Sequence, residues 1–221
     1  MYLAKALGVI FFLTMVLLLI YVVGKKYSLC LETQRKLLHI ALGVASLTFP
    51  FLFDTTSEVI LFVIVALIAL LSLRYIPVLR KTLGESVYGV KRSWMGGALF
   101  LVSIIILFFV SRDNYILYAG PLLILTFSDA FSAVVGVKYG KKYYTIFGCS
   151  KSIEGTLTFF ITGFIAICLL LAFTTVKPPL TIFYSALTVA FFTTVAELFA
   201  GKAFDNISVP AAAFVVLQRL L

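Results

Sequence analysis

The chain has 221 residues, of which 62% are hydrophobic and 12% charged, and it carries a formal net charge of +9. A soluble domain carries roughly a quarter of its residues as charges, so this composition excludes a water-soluble globular protein. It fits one polytopic, all-α membrane domain over residues 1–221. The surplus of Lys and Arg reads as loop charge held on the cytoplasmic side of a bilayer, not as a nucleic-acid surface.

Apolar runs of about 20 residues mark spanning helices. Seven to eight are expected here, near 3–24, 37–53, 57–77, 93–111, 114–137, 153–176 and 179–200, with 204–221 as the eighth, interrupted by Asn206, Pro210 and Arg219. The first is too long for a signal-peptide core and lacks a small-residue cleavage site, which predicts a retained helix. At the mouth of the second, within QRKLLHI, Arg35 and His39 lie four residues apart on one helical face, with Gly43 a turn further in. His39, the single histidine of the chain, reads either as a packed side chain with a backbone partner or, beside Arg35 and Lys36, as a phosphate contact. Before the fourth run, Lys91, Arg92 and Ser93 lead into Trp94, Gly96 and Gly97. That cluster is either topological charge or a basic lid over a phosphate.

The fifth run ends in SDAFSAVVGVKYG, residues 128–140. On a helix, Asp129, Ser132, Ala133, Gly136 and Gly140 share one face. Close helix packing accounts for the small residues. It does not account for Asp129, since an intramembrane acid is expensive and marks a site. GCSKSIEG follows at 148–155. Gly148 loosens the chain, and Lys151 and Ser152 precede a helix expected to start near Ile153. A lysine with free N–H groups at a helix N-terminus forms an anion site, and Glu154 in the first turn suits the helix dipole. The GxxxxGK[ST] spacing is missing and no strand is expected before it, so this is not a P-loop. In AELFAGKAFDN, residues 196–206, Glu197, Gly201 and Asp205 follow a spacing that puts them along one helical face. Two acids placed so are able to hold Mg²⁺ with waters; alternatively Asp205 and Asn206 cap the last helix.

Fourteen of the eighteen Lys and Arg fall in the odd-numbered loops. That predicts those loops on the cytoplasmic side, the N-terminus outside and all these motifs on one face. Cys30, Cys149 and Cys168 match no zinc spacing, and no disulfide is expected among them.

The ordered set RKxxH, D-A-F-[SA] with spaced glycines, K-S-x-E-G and A-E-x(7)-D-N with a following proline resembles the polyprenol kinase family. That family takes in dolichol kinase, phytol and farnesol kinases and the CTP-dependent diacylglycerol kinase. The matches are Arg35, Lys36 and His39; Asp129, Gly136 and Gly140; Lys151, Ser152, Glu154 and Gly155; and Glu197, Asp205, Asn206 and Pro210. They run from the second span to the eighth. Ser128 stands where the family has glycine before the aspartate.

The resemblance implies an enzyme that moves the γ-phosphate of CTP to a membrane lipid alcohol, with Mg²⁺ as cofactor and kinship to membrane CDP-lipid synthases. Asp129, Lys151 and Glu154 are the expected catalytic residues. Arg35, Lys36, His39, Gly136, Gly140, Lys141, Gly148, Lys151, Ser152, Gly155 and Asn206 are expected at the nucleotide phosphates, and Asp129, Glu197 and Asp205 at the metal. The site is expected on the cytoplasmic face of an integral membrane protein, in the endoplasmic reticulum of a eukaryote or the cell membrane of a prokaryote, with the oligomeric state open. A cytidylyltransferase making a CDP-lipid is the alternative. An ion-coupled transporter fits less well, because the polar residues gather at one face.

Overall fold

Lipid offers no partner to a backbone N–H or C=O, so the apolar runs close their hydrogen bonds within themselves as helices. The computed structural model describes residues 2–88, 95–111, 114–146, 148–201 and 203–221. Lys91, Arg92, Ser93 and Trp94, the expected basic lid, lie outside the described residues, as does Lys202. The elements are α1 (Tyr2–Lys26), α2 (Leu31–Leu47), α3 (Phe49–Leu52), α4 (Thr56–Tyr75), α5 (Pro77–Arg80), α6 (Leu83–Tyr88), α7 (Met95–Val110) and α8 (Tyr115–Leu123). A π-helical segment (Ile124–Ser128) joins α8 to α9 (Asp129–Tyr139). Strands β1 (Tyr143–Ile146) and β2 (Cys149–Ser152), then α10 (Ile153–Thr174), α11 (Pro179–Phe199) and α12 (Asp205–Leu220), complete the chain.

This is an all-α membrane protein. Among the described residues five helices are long and apolar enough to cross a membrane: Lys5–Lys26, Thr56–Tyr75, Tyr115–Tyr139, Ile153–Thr174 and Pro179–Phe199. Met95–Val110 is a shorter apolar helix. Local chemistry sets the boundaries. Thr55 caps α4 by accepting from Glu58 N, while Glu58 Oε2 accepts from Asp54 N at 2.7 Å. Asn114 Oδ1 accepts from the N–H groups of Ile116 and Leu117 to cap α8.

Three expectations need correction. The second helix starts at Leu31, six residues before the apolar run, because LETQRK is helical though polar. It gives way to the short α3, which carries Pro50 in its first turn, where a missing N–H costs least. The segment before α10, expected as a loop, is an antiparallel hairpin with Ile146 paired to Cys149 and Tyr143 to Ser152. Gly148 turns it with φ of +72°, a conformation glycine adopts without a Cβ penalty. Finally, Glu197, Gly201 and Asp205 do not share one continuous helix. Helix α11 ends at Phe199, Ala200 is extended, and Ala203 has φ of +81° just before α12 begins.

Packing gathers around two cores. In the first, Phe49, Phe53 and Phe62 meet with ring centroids 5.0–5.8 Å apart, and Phe100, Leu101 and Ile104 of α7 join them. In the second, Phe159, Ile167 and Leu171 of α10 pack with Val189 of α11 and Leu217 of α12. Outward faces carry Phe11, Leu19, Phe173 and Phe191, an apolar exterior suited to lipid. The α2 backbone presses onto the π segment at Gly43, where a Cβ would lie 2.0 Å from Thr126 Oγ1 and 2.8 Å from Thr126 Cβ. Gly43→Ala is therefore expected to cost about 1–3 kcal/mol by overpacking. Thermal unfolding in detergent checks this, and an unchanged midpoint would show that the contact yields freely.

Candidate functional site

A cavity of about 650 Å³ is lined by residues of α2, α4, α6, α7, α9, β1, β2, α10, α11 and α12 and of the turn between α11 and α12. From α2 come Arg35, Lys36 and His39. Lys36 is only 2% exposed, and its Nζ donates to Asp129 Oδ2 at 2.5 Å, fastening α2 to the start of α9. His39 Nε2 lies 3.0 Å from the Leu125 carbonyl and 3.5 Å from Asp129 Oδ2. A carbonyl only accepts, so Nε2 carries the proton. The Leu125 carbonyl belongs to the π segment, where the regular helical bonding pattern is interrupted and carbonyls are offered to side chains. Arg35 turns to Glu32 with two hydrogen bonds, at 2.7 and 3.1 Å.

Across the cavity, Lys151 on β2 donates to Glu197 Oε1 at 2.6 Å and to the Glu197 carbonyl near the end of α11. The hairpin that carries Lys151 is pinned to α10 by a hydrogen bond between the Tyr144 and Thr156 hydroxyls. Burial raises the Tyr144 phenol above the usual tyrosine range, with that bond pulling the other way. Ser152 caps α10 by accepting from Gly155 N at 3.1 Å, so the helix begins at Ile153 as expected. Helices α9 and α10 approach through glycines. A Cβ on Gly136 would lie 2.9 Å from Ser152 Oγ, and one on Gly155 would lie 3.0 Å from the Ser132 carbonyl. The expected small face of α9 thus lines the cavity through Asp129, Ser132, Ala133 and Gly136.

Asp205 and Asn206 close the wall from the first turn of α12. Asp205 Oδ1 accepts from Asn206 N and Nδ2, both at 3.0 Å, and Ser103 of α7 donates to the Asn206 carbonyl.

The structure brings together Arg35, Lys36, His39, Asp129, Gly136, Lys151, Ser152, Gly155, Glu197, Asp205 and Asn206 as lining residues. Gly140, Lys141, Gly148 and Glu154 are not among them. Gly140 ends α9, where a Cβ would clash with the Gly136 carbonyl. Gly148 turns the hairpin, and Glu154 sits in the first turn of α10 beside the main chain of Lys141 and Lys142. Sequence reasoning missed Leu42, Leu70, Tyr88 and Phe100, which line the cavity as ordinary-looking apolar residues.

The three acids suit a hard cation, which takes oxygen ligands. Glu197 Oε2 is buried with no hydrogen-bond partner. No group of three His, Cys, Asp or Glu among the described residues is drawn tightly enough to form a ready cation cage. Mg²⁺ is commonly held by one or two carboxylates, with waters and substrate phosphates completing its shell, so the residues present fit that mode of binding.

No family sequence model and no solved structure matches the chain. The chain is 31% identical over 182 residues to a phytol kinase of Synechocystis sp., an alignment covering 81% of this chain and 75% of that protein.

Proposed function

The chain belongs to the polyprenol and phytol kinase family of lipid alcohol kinases, and on that premise we propose that it transfers the γ-phosphate of CTP to the hydroxyl of a membrane lipid alcohol. Candidate acceptors are a polyprenol or dolichol, a phytol-type isoprenoid or a diacylglycerol. One observation carries the reading: a single cavity holds both lysine–carboxylate pairs, Lys36–Asp129 and Lys151–Glu197, beside the capped N-terminus of α10.

In that arrangement each lysine lies within reach of two kinds of partner. Against a triphosphate, Lys151 binds phosphate oxygens and offsets the charge that develops on transfer. Arg35 adds a guanidinium to the same cavity from α2. Asp129, beside His39, is placed to orient the acceptor hydroxyl and take its proton. Phosphoryl transfer rests mostly on positioning and charge, so a weak base suffices. Mg²⁺ held by Glu197 and Asp205, with Asp129 as a further candidate ligand, would neutralise charge on the triphosphate.

CTP as donor follows the family resemblance, as does the choice among alcohols. We place the cavity mouth on the cytoplasmic side, with seven to eight crossings and the N-terminus outside. The distribution of Lys and Arg along the loops supports this. The membrane is then the endoplasmic reticulum or the cell membrane, according to the source.

The test is an incubation of purified protein with γ-labelled CTP or ATP and a panel of lipid alcohols. Label is expected in the lipid with CTP, with CDP as the released nucleotide. Label in no lipid with either nucleotide would sink the kinase reading. Release of pyrophosphate from CTP would instead identify a cytidylyltransferase.

A further inference from the structure

One face of α2 addresses the π segment at three levels. Lys36, His39 and Gly43 follow one another at three and then four residues, the spacing of a single helical face. Lys36 Nζ holds the carboxylate of Asp129, the first residue of α9. His39 Nε2 lies 3.0 Å from the Leu125 carbonyl, inside the π segment. A turn further along, Gly43 lets α2 close onto Thr126. Asp129 is thus held twice from one helix, through its own side chain and through the backbone turn that leads into it.

That turn decides where the carboxylate points. A π turn takes in one residue more than an α turn. An α-helix advances by about 100° per residue, so closing the segment to α geometry would swing Asp129 through roughly that angle, away from Lys36. The segment's own side chains do not favour it. Thr126 and Ser128 are fully buried, and neither hydroxyl finds a hydrogen-bond partner among the described residues. Buried hydroxyls left unpartnered oppose a fold, so the irregular turn is held by what packs against it. The imidazole doing so is itself fixed: its side chain is 11% exposed, and the Phe100 ring lies against it at 4.4 Å, tilted by 55°.

We infer that His39 is a positioning residue: by donating to the Leu125 carbonyl it locks the π turn that aims Asp129 into the cavity, and it neither binds phosphate nor takes the hydroxyl proton. The inference deepens the lipid-kinase reading and rests on it for its catalytic consequence. A side chain needed only as a donor is replaceable by another donor of equal reach. A glutamine amide nitrogen reaches the place of Nε2, whereas an asparagine amide reaches only as far as Nδ1. His39→Gln therefore keeps the bond to Leu125, and His39→Ala and His39→Asn lose it.

Two measurements test this on the full-length protein in detergent. The first is amide hydrogen exchange by mass spectrometry over residues 124–131, with 179–199 of α11 as the internal reference. His39→Ala is expected to speed exchange in 124–131 by about tenfold, the effect of one lost hydrogen bond. His39→Gln is expected to restore protection, and the reference stays level in both. His39→Asn serves if His39→Ala does not fold, with the same loss expected. The second is the kinetics of γ-label transfer. His39→Ala is expected to lower kcat by about 10–10²-fold, the cost of a misaimed group, with the nucleotide KM within about twofold. His39→Gln is expected to recover most of that loss and to keep the pH profile of the wild type, because the groups that titrate in the reaction are still present. Exchange in 124–131 untouched by both His39→Ala and His39→Asn, or unprotected in His39→Gln, overturns the inference. A nucleotide KM raised in His39→Gln as in His39→Ala makes the histidine a phosphate contact and overturns it. A pH profile that loses a limb in His39→Gln makes it a proton carrier and also overturns it. If the wild type labels no lipid, the kinase reading falls, and the exchange measurement alone decides whether His39 locks the turn.

Discussion

Lys151→Ala is expected to lower phosphoryl transfer by about 10²–10³-fold, the loss seen when one charge-stabilising donor is removed from a preorganised site. Lys151 is rigidly presented. It lies on β2, one residue before the Ser152 cap of α10, and donates to both the side chain and the carbonyl of Glu197. The other cations that line the cavity, Arg35 and Lys36, are engaged with Glu32 and Asp129. The variant also strips a partner from a carboxylate whose Oε2 is already unpartnered, which costs about 1–3 kcal/mol. Turnover alone would confound the two effects. Lys151→Met combined with Glu197→Gln removes both charges and should recover most of the thermal stability while leaving transfer abolished. Lys151→Arg keeps the charge but changes its shape, and partial activity is expected. Near-wild-type turnover of purified Lys151→Ala would show that the lysine is structural.

Hydropathy located the helices well because their cause is local: a run such as 179–200 has no other way to satisfy its backbone in lipid, and α11 spans Pro179–Phe199. The small face of α9 and the Ser152 start of α10 were legible for the same reason. What the sequence hid was decided by contact. ILTFS carries no π signature; the irregular turn at 124–128 is seen only where the Leu125 carbonyl meets His39. Helix α6 lies in a stretch expected as loop and is fixed by Ser86 donating to Gln34 Oε1, fifty-two residues distant in sequence. The hairpin did leave a trace, since YYTI and CSKS flank a turn ending in glycine; its glycine and lysine drew the eye to phosphate instead. Lys36 and Lys151 were both expected at phosphates, but spacing alone could not show that each already faces an acid. Phe100 and Leu70 were invisible as site residues, because in a chain this apolar another Phe or Leu carries no signal until a cavity is seen beside it.

Asp129→Leu is expected to destabilise the protein by about 3–5 kcal/mol, because it leaves the Lys36 ammonium buried without a counter-charge. Lys36 is 2% exposed and comes from a different helix, so the pair also joins α2 to α9. Adding Lys36→Met removes the orphaned charge. Replacing a buried pair with apolar groups of similar volume is often neutral or stabilising, so the double variant should regain most of the lost stability. Transfer should stay abolished in both, since the group that orients the acceptor hydroxyl is gone. Asp129→Asn separates the roles further: it keeps the shape and an acceptor for Lys36, so it should lose activity with a smaller loss of stability. Thermal unfolding in detergent and transfer of γ-label read the two quantities independently. A double variant as unstable as Asp129→Leu would mean that charge compensation is not what the pair supplies. Transfer by the double variant would place Asp129 outside the catalytic machinery and leave His39 as the neighbouring group to be tested next.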